Sequence, residues 1–187
     1  MSSKKIINVG IIGYGLVGKR RREFIDKNPY LKLISVSDIS YTKLETLNED
    51  GILVYKNYND LLKLDLDAIF VCMPNKMAPI VTIESLKLGL HVFCEKPPGR
   101  DVKSIESVIK IEKKNPNLKL KYGFNHRYHE SILHAKKIID SKKYGKALNF
   151  RGVYGKSTVI PFNGNWRSNK EEAGGGILLD QGIHMLD

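Results

Sequence analysis

A chain of 187 residues exceeds the roughly 150 of a typical domain, so its length suggests one domain and a remainder. With 42% apolar and 27% charged residues, the composition excludes collagen-like and disordered chains. The formal net charge of +11 raises nucleic acid or an anionic membrane as partners, yet no apolar run approaches the roughly 18–20 residues of a bilayer-spanning helix.

Strand-like apolar runs alternate with helical patterns from the start. Residues 6–12 form a nearly unbroken β-branched run, as expected of a strand buried on both faces of a parallel sheet. A helix over 17–27 stops at Asn28-Pro29, because proline disfavours helix in the residue before it. A second strand spans 31–37, followed by a short helix over 43–48, a weak strand over 52–55 and a one-turn helix over 60–64. The fourth strand covers 68–73, a helix over 79–88 ends at Gly89, and the fifth strand covers 91–94. A helix over 102–114 ends at Asn115-Pro116, and a sixth strand spans 119–124. This alternation predicts right-handed βαβ units, hence an α/β fold with a doubly wound parallel sheet.

After Phe124 the rhythm changes. A helix over 131–141 and a strand over 147–153 precede a loop-like stretch over 154–172 and the closing AGGGILLDQGIHMLD. The expected organisation is a first domain over 1–124 and the beginning of an α+β domain over 125–187, too short to bury a core of its own.

Cys72 and Cys94 end apolar runs and read as small core hydrophobes rather than a disulfide framework. The N-terminal stretch imitates a signal peptide, but glycines at 10, 13, 15 and 18 interrupt it and Lys19-Arg20-Arg21-Arg22 follows, so a cytoplasmic protein is expected. Of the formal charge, a net +10 falls within residues 103–156. There lysines alternate with apolar residues in helix-like segments, which fits solvated helix faces, and no nucleic-acid-binding module accompanies them.

Gly13-Tyr14-Gly15-Leu16-Val17-Gly18 is a G-x-G-x-x-G sequence between a strand and a helix. There the glycines serve a tight turn, close approach of the backbone to a pyrophosphate, and close helix–strand packing, while the helix N-terminus offers N–H groups to phosphates. Asp38 lies 20 residues after Gly18, where a carboxylate can accept both ribose hydroxyls of NAD and repel a 2′-phosphate. An ordinary βα turn with Asp38 as a helix cap is the alternative. Strand, glycines, helix and acid together favour the dinucleotide, NAD before NADP, with Arg20, Arg21 and Lys43 keeping NADP open.

Glu95-Lys96-Pro97-Pro98 follows the fifth strand at the sheet edge where open parallel sheets bind ligands. A lysine there can donate to a substrate hydroxyl and stabilise its developing negative charge; a surface lysine in a Pro-rich turn fits the position equally well. In Asp180-x-x-x-His184-x-x-Asp187, a helix opening at Asp180 puts all three side chains on one face. Histidine moves protons near neutral pH, and a neighbouring carboxylate raises its basicity. The alternative is Asp180 as N-cap and His184 as a packing residue. His126-x-x-His129 lacks the further ligands a zinc site needs, so no metal is expected.

Taken together, GIIGYGLVG at 10–18, Asp38, VCMPN at 71–75, CEKPP at 94–98, GFNHRYH at 123–129, Trp166-Arg167 and GGGILLDQGIHMLD at 174–187 carry a resemblance. The sequence resembles the glucose–fructose oxidoreductase/inositol dehydrogenase/rhizopine-catabolism (Gfo/Idh/MocA) family over essentially its whole length. The resemblance implies a Rossmann domain followed by a substrate domain, in an NAD(P)-dependent oxidoreductase acting on a sugar, nucleotide-sugar or cyclitol. It implies catalytic roles for Lys96, Asp180 and His184, and places Met73, Pro74, Asn75, Glu95 and Asn125 with the glycine loop at the cofactor. Arg127, Trp166 and Arg167 then fall at the substrate with the catalytic set. The motifs look most like members of surface-polysaccharide and nucleotide-sugar pathways, and relatives are usually homo-oligomers. One departure is Ala78, where many relatives carry histidine. The other is length: the substrate domain is expected to be cut off within the His184 helix. That keeps open a non-catalytic NAD-binding remnant and, among enzymes, transient oxidation serving elimination or glycoside cleavage.

Overall fold

The apolar run Ile7–Ile12 (β1) becomes a central strand because both of its faces find apolar partners. In the computed structural model, which describes residues 5–41, 45–47, 51–155 and 166–187, β1 lies between β2 (Leu31–Ser37) and β5 (Ala68–Val71). Beyond β2 come β4 (Ile52–Tyr55) and the short β3 (Glu45–Leu47); beyond β5 come β6 (His91–Cys94) and β7 (Leu120–Tyr122). The order is β3-β4-β2-β1-β5-β6-β7, and every neighbouring pair is parallel except β3 with β4.

Between the strands run α1 (Leu16–Asp26), α2 (Tyr58–Leu61), α3 (Ala78–Lys87) and α4 (Val102–Lys114). Their ends follow local chemistry. Asp101 caps α4 by accepting from the Ser104 amide at 2.8 Å, and Lys113 and Lys114 lie in its last turn, where the helix dipole favours cations. Pro79 occupies the first turn of α3, where a missing N–H costs nothing.

Successive residues of β1 serve opposite faces. Val9 and Ile11 pack with Tyr14, Ile25, Leu33, Val36, Ile52 and Val54, whereas Ile12 joins Leu61, Ile69, Val71, Val81, Leu86 and Val108. Each fully buried Val or Ile contributes roughly 1.5–3 kcal/mol, so these two clusters carry the fold. The doubly wound parallel sheet expected from the sequence is therefore present.

Three local expectations fail. A helix over 43–48 does not form: residues 45–47 pair as β3 on the outer edge of β4, and residues 43, 44 and 48 lie outside the described residues. An open strand edge has unsatisfied N–H and C=O groups, and covering it outweighs a helix of under two turns. No strand forms over 147–153, where Leu148, Phe150 and Val153 are exposed and no partner strand stands among the described residues. The closing helix does not open at Asp180, which sits inside a π turn (Leu178–Gly182) leading into α7 (Ile183–Leu186).

The remainder of the chain holds α5 (Glu130–Asp140), which buries no residue, a 3₁₀ turn at Trp166–Ser168 and α6 (Lys170–Ala173). The expected loop at 154–172 falls largely on residues 156–165, outside the described residues. No helix among the described residues is long and apolar enough to cross a membrane.

Candidate active site

The strand register aligns Tyr55, Ser37, Ile12, Val71, Cys94 and Tyr122 in one row across the carboxyl edge. One residue past that row stand Asp38, Gly13, Cys72, Glu95 and Gly123, so the sequence motifs converge because their strands end together. Gly13 has φ +90°, and a Cβ there would run into the Cys72 carbonyl oxygen. A Cβ on Gly18 would meet the Gly13 carbonyl, which keeps α1 tight against β1. Gly15 faces open space, and no side chain caps α1, so the first-turn N–H groups are left for a ligand. Asp38 holds Ser40 through Oδ1, from the Ser40 amide at 3.0 Å and hydroxyl at 2.8 Å, and its Oδ2 accepts from no described residue. A glycine cradle, an uncapped helix end and an open carboxylate oxygen together fit a dinucleotide with unmodified ribose hydroxyls.

Arg21 has another task. Its guanidinium lies 4.9 Å from the centroid of Phe93 and 2.5 Å from Glu95 Oε1. That pairing commits Arg21 away from a 2′-phosphate and holds Glu95 in place beside Lys96. Arg20 is exposed, and Lys43 lies outside the described residues.

Lys96 follows β6 and reaches the π turn, where its Nζ donates to the Asp180 carbonyl at 2.6 Å and to Oδ1 at 3.3 Å. Burial pushes the Asp180 carboxyl up, but a hydrogen bond from Gln181 and the charges of Lys96 and Arg167 overcome this and hold it below the usual carboxylate range. The turn is brought to Lys96 by polar contacts upstream. The buried Asn75 amide donates to the Ala173 carbonyl at 2.8 Å, the Lys76 ammonium lies 3.0 Å from Glu172, and Arg100 donates to the Glu171 carbonyl at 2.5 Å. Gly174 then passes Arg100 at φ +78°, so close that a Cβ would collide with it.

His184 sits on α7, near enough to Lys96 and Asp180 for their charges to act on it. Its Nδ1 is buried and makes no hydrogen bond among the described residues. Burial, Lys96 and His126 outweigh Asp180 and Asp187 and bring its pKa down to about 4. It is therefore neutral at neutral pH, the form that accepts a proton. Of the trio expected on one face, Asp180 and Asp187 both act on His184 by charge, and Asp187 also pairs with Arg127 through both carboxylate oxygens. The cysteines offer no nucleophile: both are unpaired, and burial pushes both thiols well above their ordinary range, Cys94 to about 12.

A cleft of about 180 Å³ brings together Gly15, Leu16, Val17, Met73, Asn75, Glu95, Lys96, Trp166, Arg167 and Asp180. Other expected residues lie elsewhere. Tyr14 turns its ring into the core, leaving only its backbone for a cofactor. Asn125 lines a separate cavity of about 240 Å³ with Arg21, Phe93 and Lys121. The Arg127 charge is taken up by Asp187, and the Asn75 amide by Ala173, although Asn75 also lines the cleft. Pro74 accepts at its carbonyl from the Met77 and Ala78 amides as α3 begins. The roles of Arg21, Arg100 and His126 are not legible in their spacing, since each depends on a partner more than 50 residues away. Among the described residues no cluster of histidine, cysteine, aspartate or glutamate is arranged to hold a metal.

Known proteins resemble this chain in sequence and fold. The D-glucoside 3-dehydrogenase of Escherichia coli (strain K12) is 30% identical over 189 aligned residues, covering 97% of this chain and 52% of that protein. The myo-inositol 2-dehydrogenase structure from Lactobacillus plantarum superposes with a TM-score of 0.69 at 36% identity, over 76% of this chain and 43% of that one. A scyllo-inositol dehydrogenase from Lactobacillus casei, solved with NAD(H) and scyllo-inositol bound, gives 0.67 at 30% identity, over 75% and 43%. This chain spans about half the length of the curated relatives it matches. The family model for the Gfo/Idh/MocA oxidoreductases with an NAD-binding Rossmann fold matches residues 7–124, and that of the family's C-terminal domain matches 132–187. With its glycine cradle, Asp38 and the Lys96 edge in register on one sheet, the chain belongs to the Gfo/Idh/MocA oxidoreductase family.

Proposed function

We propose that this protein is an NAD-dependent dehydrogenase that interconverts a hydroxyl and a ketone on a sugar or cyclitol. The observation that carries the reading is the bond of Lys96 to Asp180 in the cleft beside the glycine cradle, with His184 one helical turn on and acted on by both charges. Gly13–Gly18 would hold the cofactor's pyrophosphate, Asp38 its ribose hydroxyls and the Lys96 cleft its nicotinamide, and when bound it would supply the acceptor or donor of a hydride. Lys96 has three N–H donors, of which the Asp180 carbonyl and carboxylate take two. The third is left for the substrate oxygen, where a positive charge stabilises a developing alkoxide. Neutral His184 accepts the hydroxyl proton; in reverse it returns the proton to the ketone oxygen. Asp180 orients Lys96, and Trp166 and Arg167 form the substrate wall of the cleft.

The organisation proposed is a cofactor domain over 1–124 and substrate-domain residues over 125–187, supported by family models that end and begin near that point. In its finer form the proposal names a nucleotide-sugar from a surface-polysaccharide pathway as substrate, supported by the net +10 over 103–156. A homo-oligomer is proposed as the working state, supported by the apolar side chains left open on α5 (Ile132, Leu133, Ile138 and Ile139). Two unpaired cysteines support a cytoplasmic setting.

The test combines calorimetric titration with NAD and absorbance assays over inositols, glucosides and nucleotide-sugars. Binding of NAD and turnover of at least one polyol are expected, with Lys96→Met lowering kcat by about 10²–10⁴-fold while NAD still binds. Near-normal turnover by Lys96→Met overturns the role of Lys96. Binding with no polyol-dependent change in absorbance favours an NAD-binding protein without catalysis.

A further inference from the structure

The His184 ring lies on that of His126, with centroids 4.1 Å apart and planes inclined by 22°. Phe124 meets His184 edge-on at 6.3 Å and Tyr154 at 5.9 Å, and Tyr154 also meets His126 edge-on at 5.1 Å. The two imidazoles come from differently anchored parts of the molecule. His126 belongs to the 3₁₀ turn Asn125–Tyr128, three residues past the end of β7, whereas His184 rides on α7, which continues the π turn Leu178–Gly182 without a break. The helical backbone still leaves the His184 side chain a choice of rotamers, so the direction of its ring comes from what lies against it. Hydrogen bonding does not supply it, since Nδ1 has no partner among the described residues.

We propose that His126 is a positioning residue for His184: its ring, anchored to the end of β7, seats the His184 imidazole and closes one of its faces to water. The proposal rests on His184 being the proton-transfer group of the function given above. Stacking at this spacing fixes both the plane and the facing of the second ring. With Nδ1 buried, Nε2 becomes the nitrogen that exchanges the proton.

The same contact sets the charge state. Two imidazoles this close cannot both carry a proton without like-charge repulsion. Lys96 past β6 and His126 past β7 oppose protonation of His184, and burial acts with them. Asp180 in the π turn and Asp187 after α7 favour it, the latter already paired with Arg127. Phe124 and Tyr154 fill the remaining sides without charge. His126 thus keeps the base neutral by shielding it and, once itself protonated, by repulsion.

Proton NMR titration of the five histidines tests this, with H184Q identifying the His184 signal. In the parent chain the ring protons of His184 and His126 are expected upfield of the other three by mutual ring-current shielding, with a His184 midpoint near 4. His126→Phe keeps a stacked ring and removes its charge, so the shielding remains and the midpoint rises by roughly one pH unit. His126→Ala removes both; the His184 signal moves downfield, with Phe124 and Tyr154 still beside it, and the midpoint moves closer still to the ordinary 6.5. A His184 signal that stays in place in His126→Ala, or one midpoint for all three chains, overturns the proposal. His126→Phe preserves the packed volume, so its titration stands even if the alanine variant unfolds. Neither NAD nor turnover enters the readout. An inactive chain with these shifts overturns the functional reading alone, and an active chain without them overturns this one alone.

Discussion

Between β1 and β7 the chain is held by side chains that water does not reach. Ile11, Val36, Val54, Ile69 and Val71 are fully buried, and strands of four to seven residues pair in register around them. Beyond Tyr122 the pattern reverses: α5 buries nothing, and apart from Gly123, Ala173 and Gln181 no described residue there is buried. What ties the later segment to the sheet is polar, chiefly Asn75 to Ala173, Lys76 to Glu172, Arg100 to Glu171 and Lys96 to Asp180. A hydrogen bond contributes about 0.5–1.5 kcal/mol net, against roughly 1.5–3 for a buried aliphatic side chain. The cofactor end of the site is therefore built on the stiff part and the proton-transfer end on the soft part, so the soft part can open without the sheet unfolding.

The largest effect is expected in the sheet. Ile69→Ala, at a fully buried position, should cost about 2–5 kcal/mol in urea denaturation and take the whole molecule with it. Asn75→Ala strands the Ala173 carbonyl and should cost about 1–3 kcal/mol locally. Hydrogen exchange would then speed up over 166–187 while the β1 amides stay protected. If the β1 amides exchange faster by the same factor, the two regions form one cooperative unit and the contrast drawn above fails.

Acid should act on the soft part as well. His184 takes a proton near 4 when packed and near 6.5 when released, so acid favours the released form. Attachment of α7 should be complete above about 6.5 and weaken as pH falls towards 4. Exchange or limited proteolysis of 166–187 across that range reads it, and attachment that strengthens on acidification would contradict the burial of His184. The smallest effect is expected from Leu148→Ala, within about 0.5 kcal/mol, since Leu148 is 94% exposed. A larger loss would mean that residue 148 is packed against something in solution.

The sheet was legible because its signals are local. A strand buried on both faces is a continuous apolar run, and prolines and glycines mark where helices stop; the strands 31–37, 52–55 and 91–94 and the helix 102–114 are found where expected. The glycine loop and Asp38 were legible for the same reason, since turn, helix start and strand end are neighbours in the chain. The region 43–48 was not, because an unpaired edge of β4 drew residues 45–47 into pairing. Nor was the strand over 147–153, whose alternation has no described neighbour to pair with.

At the site, residue types named the candidate chemistry, while distances assigned the partners. Lysine after a central strand and histidine near an aspartate announced stabilisation of an alkoxide and transfer of a proton, properties a side chain carries wherever it stands. That Lys96 binds Asp180 across 84 residues, that Arg127 takes Asp187, and that His126 lies on His184 follow from the meeting of separate segments. Chain order alone is blind to such meetings. The length of 187 residues and the charge of +11 delimited the molecule, and the register of six parallel strands decided which of its residues stand together. Hydrophobic periodicity is a local property of the chain, whereas hydrogen bonds, ion pairs and ring stacks require approach in space, which only the packed fold provides.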